Sequence, residues 1–69
     1  MNLPTGRYRH FKGNFYEVIG CAKHSETEEE MVVYRDQSQQ LWVRPLAMFL
    51  ERVRVQEAMV PRFAYVGPG

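Results

Sequence analysis

The chain has 69 residues, a formal net charge of +1, 45% hydrophobic residues and a single cysteine, Cys21. That is one domain with a modest core, because a chain this short buries only about 60% of the surface its unfolded form exposes. The hydrophobic content excludes a disordered tail, the lone cysteine excludes an internal disulfide and points to a reducing, cytoplasmic setting, and the near-neutral charge argues against strong non-specific nucleic-acid binding.

Arg7, Arg9, Lys12 and Glu17 interrupt the first twenty residues, which is not the apolar core of a signal peptide. The longest apolar run, Leu46-Ala47-Met48-Phe49-Leu50, is far short of a membrane span. Charge is unevenly distributed. Residues 1–23 sum to +3, residues 24–30 to −4 and residues 31–69 to +2. The acid sits in one segment, which reads as a solvated loop, and base is spread over the rest.

In chain order, residues 1–5 form a lead-in and Gly6 opens a strand, Arg7 to Phe11. Tyr8 and His10 share one face of it, and Arg7, Arg9 and Phe11 the other. Lys12-Gly13-Asn14 is a tight turn. Phe15 to Ala22 is an aromatic and β-branched strand, with Gly20 marking a bulge or bend. Lys23 to Glu30 is a polar loop in which Ser25 and Glu28 have the spacing of a capping box. Met31 to Tyr34 and Leu41 to Arg44 form a hairpin around Asp36-Gln37-Ser38-Gln39-Gln40, with Val33 and Leu41 or Val43 expected in the interior. An open edge along Met31 to Tyr34 is a place where a second copy can pair.

Pro45 ends that hairpin and suits the start of a helix. Leu46, Phe49, Leu50 and Val53 recur at helical spacing, so residues 45–51 are expected to form one or two helical turns. Arg52 to Val55 reads as a last short strand. Ala58 to Phe63 is an extended ending that tucks Phe63 onto the core. Residues 1–5 and 65–69 are expected to fray. The pattern predicts a single all-β domain: a small SH3-like barrel of four to five antiparallel strands with one helical turn. A split sheet with one packed helix is the alternative.

The series Gly6-x-Tyr8-x-His10-x-Lys12-Gly13-x-x-Tyr16-x-Val18, then Ala22-x-His24-Ser25-Glu26-Thr27, Val32-Val33-Tyr34, Leu41-Trp42-Val43-Arg44-Pro45-x-x-x-Phe49 and Pro61-Arg62-Phe63 resembles a bacterial family, domain of unknown function 1653. The resemblance spans nearly the whole chain. It implies a small SH3-like fold and brings no reaction, cofactor or substrate.

The residues argue against an enzyme. His24-Ser25-Glu26 has the residue types of a catalytic triad, but neighbours on one loop cannot line up base, nucleophile and orienting acid. Cys21, His10 and His24 lack metal-ligand spacing. Cys21 reads as a buried small hydrophobe and His10 as a hydrogen-bonded structural histidine. Glu28, Glu29 and Glu30 read as solvated, without the burial that raises a carboxyl pKa. No cofactor is expected.

The strongest constellation is aromatic and basic. Tyr8, His10, Tyr34, Trp42 and Arg44 are expected to form a groove flanked by the loop carrying His24 and Glu26. Lys12 and Arg62 add charge. Such a groove suits a binding module for a protein segment. Nucleic acid is a second candidate. In the other reading, an accessory domain binds a small anionic metabolite through His10, Lys12, Arg44 and Arg62. Arg44 and Arg62 are also candidates for structural pairing with Glu26 or another acid. Tyr16, Phe49 and either Phe11 or Phe15 are expected in the core. No membrane partner is expected.

Overall fold

The computed structural model describes residues 3–68. The elements are β1 (Gly6–His10), β2 (Phe15–Lys23), β3 (Glu30–Arg35), β4 (Leu41–Pro45), α1 (Leu46–Phe49), β5 (Arg52–Val55), β6 (Ala58–Pro61) and β7 (Phe63–Gly67). Five strands make one antiparallel sheet in the order β4-β3-β2-β1-β7, while β5 and β6 form a separate hairpin.

The described residues are all-β with one short helix, as the pattern predicted, but they form seven strands rather than four or five. The difference lies in the ending. Ala58–Pro61 pairs with β5, and Phe63–Gly67 pairs with β1, placing Phe63 opposite His10 and Tyr65 opposite Tyr8. Tyr65 to Gly67 therefore do not fray. At the other end Leu3 packs against the core, and the Tyr8 hydroxyl donates to the Pro4 carbonyl at 2.7 Å. Met1, Asn2 and Gly69, also expected to fray, lie outside the described residues. The sheet keeps free edges at β4 and β7, so the described strands close no barrel and the arrangement is the divided one. Strand β3 is interior to the sheet, so the edge expected at Met31 to Tyr34 is instead β4, Leu41 to Pro45.

The core is small and aromatic. Tyr8, Val18, Val32, Tyr34, Leu46, Phe49 and Phe63 are its buried members. In β3 the buried residues are Val32 (0% exposed) and Tyr34 (5%), whereas Leu41 is 56% and Val43 62% exposed. The interior expected for Val33, Leu41 and Val43 is thus the opposite face of the hairpin. Side chains alternate, so a choice of face is all or none. Tyr34 decides it, because its ring meets Phe49 at 5.7 Å and Tyr16 at 5.6 Å while its hydroxyl stays at the rim. A tyrosine can occupy a core when its polar tip escapes. On the outer face Ile19, Leu41 and Val43 remain exposed.

Helix α1 is a single turn. Pro45, at φ −53°, precedes it, and the Leu50 N–H donates to the Leu46 carbonyl at 3.0 Å. Its two buried residues, Leu46 and Phe49, sit three apart on one face. Phe49 lies flat on Phe63, with centroids 4.2 Å apart and planes 1° from parallel.

The turns follow local chemistry. Gly13, at φ 107°, closes the β1–β2 turn by donating its N–H to the His10 carbonyl at 2.7 Å. The register of β2 on β3 shifts between Val18 and Gly20, the bulge that Gly20 predicted. Beyond it β2 runs clear of the core, so Cys21 is exposed rather than buried. The loop between β2 and β3 does not use a Ser25 capping box. Instead His24 Nδ1 accepts the N–H groups of Glu26 (3.1 Å) and Thr27 (3.4 Å). The β5–β6 hairpin turns through Gln56 and Glu57, both at positive φ (48° and 68°).

Replacement of Phe49 by Ala is expected to remove about 3–5 kcal/mol of stability. Val43→Thr, on the exposed outer face, should stay within about 0.5 kcal/mol. Urea unfolding monitored by circular dichroism checks both, and a large loss at Val43 would reverse the assignment of faces.

Candidate functional site: an aromatic and basic cleft

Strand alternation brings the candidate residues to one face. The cross-strand pairs Tyr8–Tyr16, Tyr34–Trp42, Val32–Arg44 and His10–Phe63 each put two side chains on the core side of the sheet. Tyr34 is buried and forms the floor, whereas Tyr8 is buried in the core against Phe49 and Tyr65 and does not line the cleft. Tyr16, Trp42 and Arg44 stand at the rim. There an open cleft of about 240 Å³ is lined by Tyr16, Tyr34, Asp36, Trp42 and Arg44.

Asp36 organises the cleft wall. Its Oδ1 accepts the N–H groups of Ser38 (2.9 Å) and Gln40 (3.0 Å) and the Ser38 hydroxyl (2.8 Å). This is an Asx-type turn, with a short acidic side chain bonding the backbone just ahead of it. Oδ2 accepts the Trp42 indole N–H at 2.9 Å. The turn thereby fixes Trp42, whose ring is half exposed (50%) with its only donor already satisfied. The Trp42 and Ser38 bonds hold the Asp36 carboxyl down at about 2.

Arg44 is half buried. Its guanidinium stands over the Phe63 ring, 5.5 Å from the centroid, and Nε donates to the Tyr34 hydroxyl at 3.5 Å. No carboxylate pairs with it among the described residues. His10 meets the same Phe63 ring edge-on at 4.9 Å, and its Nδ1 accepts the Lys12 backbone N–H at 3.2 Å. Burial, then the positive charges of Arg62, Lys12 and Arg44, lower the His10 pKa below its ordinary value. Those charges therefore converge on His10. Arg62 is the exception to free charge, since its Nη2 donates to Glu51 at 2.6 Å. That is the acid pairing expected for one of the two arginines, with Glu51 in place of Glu26.

Of the expected members, Tyr8, His10, Lys12 and Arg62 do not line the cleft, and two others lie far from it. His24 and Glu26 sit beyond the far end of β2, roughly 25 Å along the strand from Tyr16 at ~3.3 Å per residue. Successive strands of a hairpin meander put alternate loops at opposite ends, so the acidic loop cannot flank this cleft. Tyr16 and Asp36 line the cleft and Phe63 lies under Arg44, three placements that the sequence pattern does not predict. The Asp36-x-Ser38 turn six residues before the only tryptophan was the available signal for Asp36. No group of three His, Cys, Asp or Glu side chains suited to a metal ion forms among the described residues.

A family model described as protein of unknown function (DUF1653) matches residues 6–65. The chain belongs to the DUF1653 family. The crystal structure of a DUF1653 protein from Bordetella bronchiseptica is similar to it at a TM-score of 0.88 and 37% identity, covering 97% of this chain and 91% of that one. No curated protein matches. The DUF1653 match takes in every residue lining the cleft, from Tyr16 to Arg44.

Because the folded-state carboxyl of Asp36 is depressed from 3.8 to about 2, the turn's contribution to stability is full above the ordinary carboxylate range. It is lost as pH falls through the folded value. Trp42 is the only tryptophan, so its fluorescence reports the turn directly. Emission is expected to hold steady from neutral pH through the ordinary carboxylate range, then change with a midpoint near 2. Asp36→Asn should abolish that transition. A wild-type midpoint near 4, the ordinary aspartate value, would show that the indole bond does not form.

Proposed function

We propose that this DUF1653 chain is a non-catalytic binding module whose cleft takes an extended segment of another protein. The observation that supports this best is Trp42. Its indole is pinned by Asp36 yet half exposed, beside Tyr16 and an Arg44 without a carboxylate. Rigid aromatic rings next to an arginine are the residue types that dominate binding energy at protein interfaces. Fixing Trp42 beforehand lowers the ordering cost of binding.

The same reading treats the divided sheet, with α1 between β4 and β5, as an opened relative of SH3-like folds, which present aromatic grooves to extended peptides. Nucleic acid fits less well, since a net charge of +1 offers few phosphate contacts. The exposed free thiol of Cys21 suits a reducing, cytoplasmic compartment. No helix among the described residues is long and apolar enough to cross a membrane.

Chemical-shift mapping with a library of extended peptides, and in parallel with short RNA, tests the proposal. Peptides are expected to perturb Tyr16, Tyr34, Trp42 and Arg44, and Trp42→Ala should weaken binding at least ~10-fold, about 1.4 kcal/mol. A library that leaves this cluster untouched, or an RNA response larger than the peptide one, would overturn it.

A further inference from the structure

Beside the cleft, the basic patch around Phe63 has a chemistry of its own. The eight acidic side chains divide cleanly. Asp36 is committed to Trp42 and its own turn, Glu51 to Arg62, and Glu17 to Arg35. Glu26, Glu28, Glu29 and Glu30 lie at the opposite end of the sheet, and Glu57 at the tip of the β5–β6 turn. Among the described residues no acidic side chain pairs with Arg44, Lys12 or His10, and the Asp36 carboxylate that shares the cleft lining with Arg44 is taken up by Trp42 and its own turn, although the fold gathers these three basic groups around Phe63 and Phe11.

The donors are also oriented. Arg44 is a planar fork held over Phe63 with only its Nε engaged, and that bond is long at 3.5 Å. Its outer N–H groups suit two oxygens of one anion. His10 accepts at Nδ1 from the Lys12 backbone, which places the proton of the neutral ring on Nε2 as a donor. Like charges gathered around one imidazole repel one another, and an anion relieves that repulsion.

We propose that the basic patch around Phe63, beside the cleft, binds an oxyanion, a carboxylate or phosphoryl group, seated by Arg44 with His10 and Lys12 at its margin. The proposal rests on the reading of this face as a binding face and names the chemistry that the ligand presents there. The anion is either a side chain of the bound protein segment or a free small molecule.

The groups facing His10 are Lys12 from the β1–β2 turn, Tyr16 from β2, Arg44 from β4 and Arg62 from the β6–β7 junction. No carboxylate is among them, so its ordinary charge balance disfavours protonation. A bound anion reverses that balance and raises the His10 pKa. His24, the only other histidine, lies on the far loop and serves as an internal control.

The experiment is a pH titration of both imidazoles by NMR, in chloride and in sulfate at matched ionic strength. Sulfate is the probe because it keeps its charge across the range. The expected result is a saturable rise of the His10 midpoint by about half a pH unit or more, with His24 unmoved. Lys12→Gln should weaken the sulfate response, and Arg44→Gln should remove it. If Arg44→Gln does not fold, Arg44→Lys replaces it, keeping the charge while losing the fork, and should weaken sulfate several-fold. Equal responses from both histidines, or a sulfate response unchanged in these variants, would overturn the proposal.

Extended peptides with and without one glutamate or phosphoserine then distinguish the sources. Preference for the acidic peptides places the anion on a protein segment. Sulfate binding without any peptide binding keeps the oxyanion site and removes the protein-segment reading. A peptide that binds with no preference for acid, together with a silent sulfate titration, removes the oxyanion site alone.

Discussion

The parallel contact between Phe49 and Phe63 joins the parts of this chain that the sheet ladder cannot join. Phe49 comes from the single turn of α1, and Phe63 from the start of β7, the last strand. Neither element would hold its place alone. One helical turn is too short to be stable by itself, and β7 is an edge strand with a free outer side. Their rings meet at van der Waals separation over Tyr34 and Tyr8, so each gains a reason to stay. Aromatic pairs contribute roughly 0.5–1.5 kcal/mol beyond the area they bury. In a core of seven buried hydrophobic residues that share decides much of the stability.

This economy merges the core with the candidate site. Phe63 is at once a buried core ring, the platform under Arg44 and the edge against which His10 rests. Tyr34 fills the interior with its ring and meets Arg44 with its hydroxyl. A chain of this length has little room for a scaffold separate from its working face. Rigidity in the cleft is therefore the rigidity of the core, transmitted through shared rings.

Much of the architecture was legible in the sequence because it depends on local signals. Gly13 named a turn, Gly20 a bulge, and Pro45 the junction of β4 with α1. Alternation alone put Tyr8 with His10, and Trp42 with Arg44, on shared faces. What alternation cannot give is which face is inside. That depends on whether a tyrosine hydroxyl finds an exit, and the exit for Tyr34 is set by Arg44 ten residues later. Phe63 reaches the core as its extended run predicts, but the pairing of residues 58–67 is not legible, for a similar reason. Their strand character comes from partners in β1 and β5, far away in sequence, and not from their own composition. Placing His24 and Glu26 beside the cleft failed because polarity says nothing about which end of a sheet a loop occupies.

The β5–β6 hairpin stands apart from the five-stranded sheet, and its tip sets Gln56 and Glu57 at positive φ, where a side chain has no natural advantage. Two-residue turns of this kind favour asparagine and glycine, and each non-glycine residue there stores about 1 kcal/mol. The tip is thus under-optimised, in a hairpin outside the five-stranded sheet. In evolutionary terms it is spare ground, where an insertion, a fused peptide or a new contact can be tried while the cleft keeps its shape.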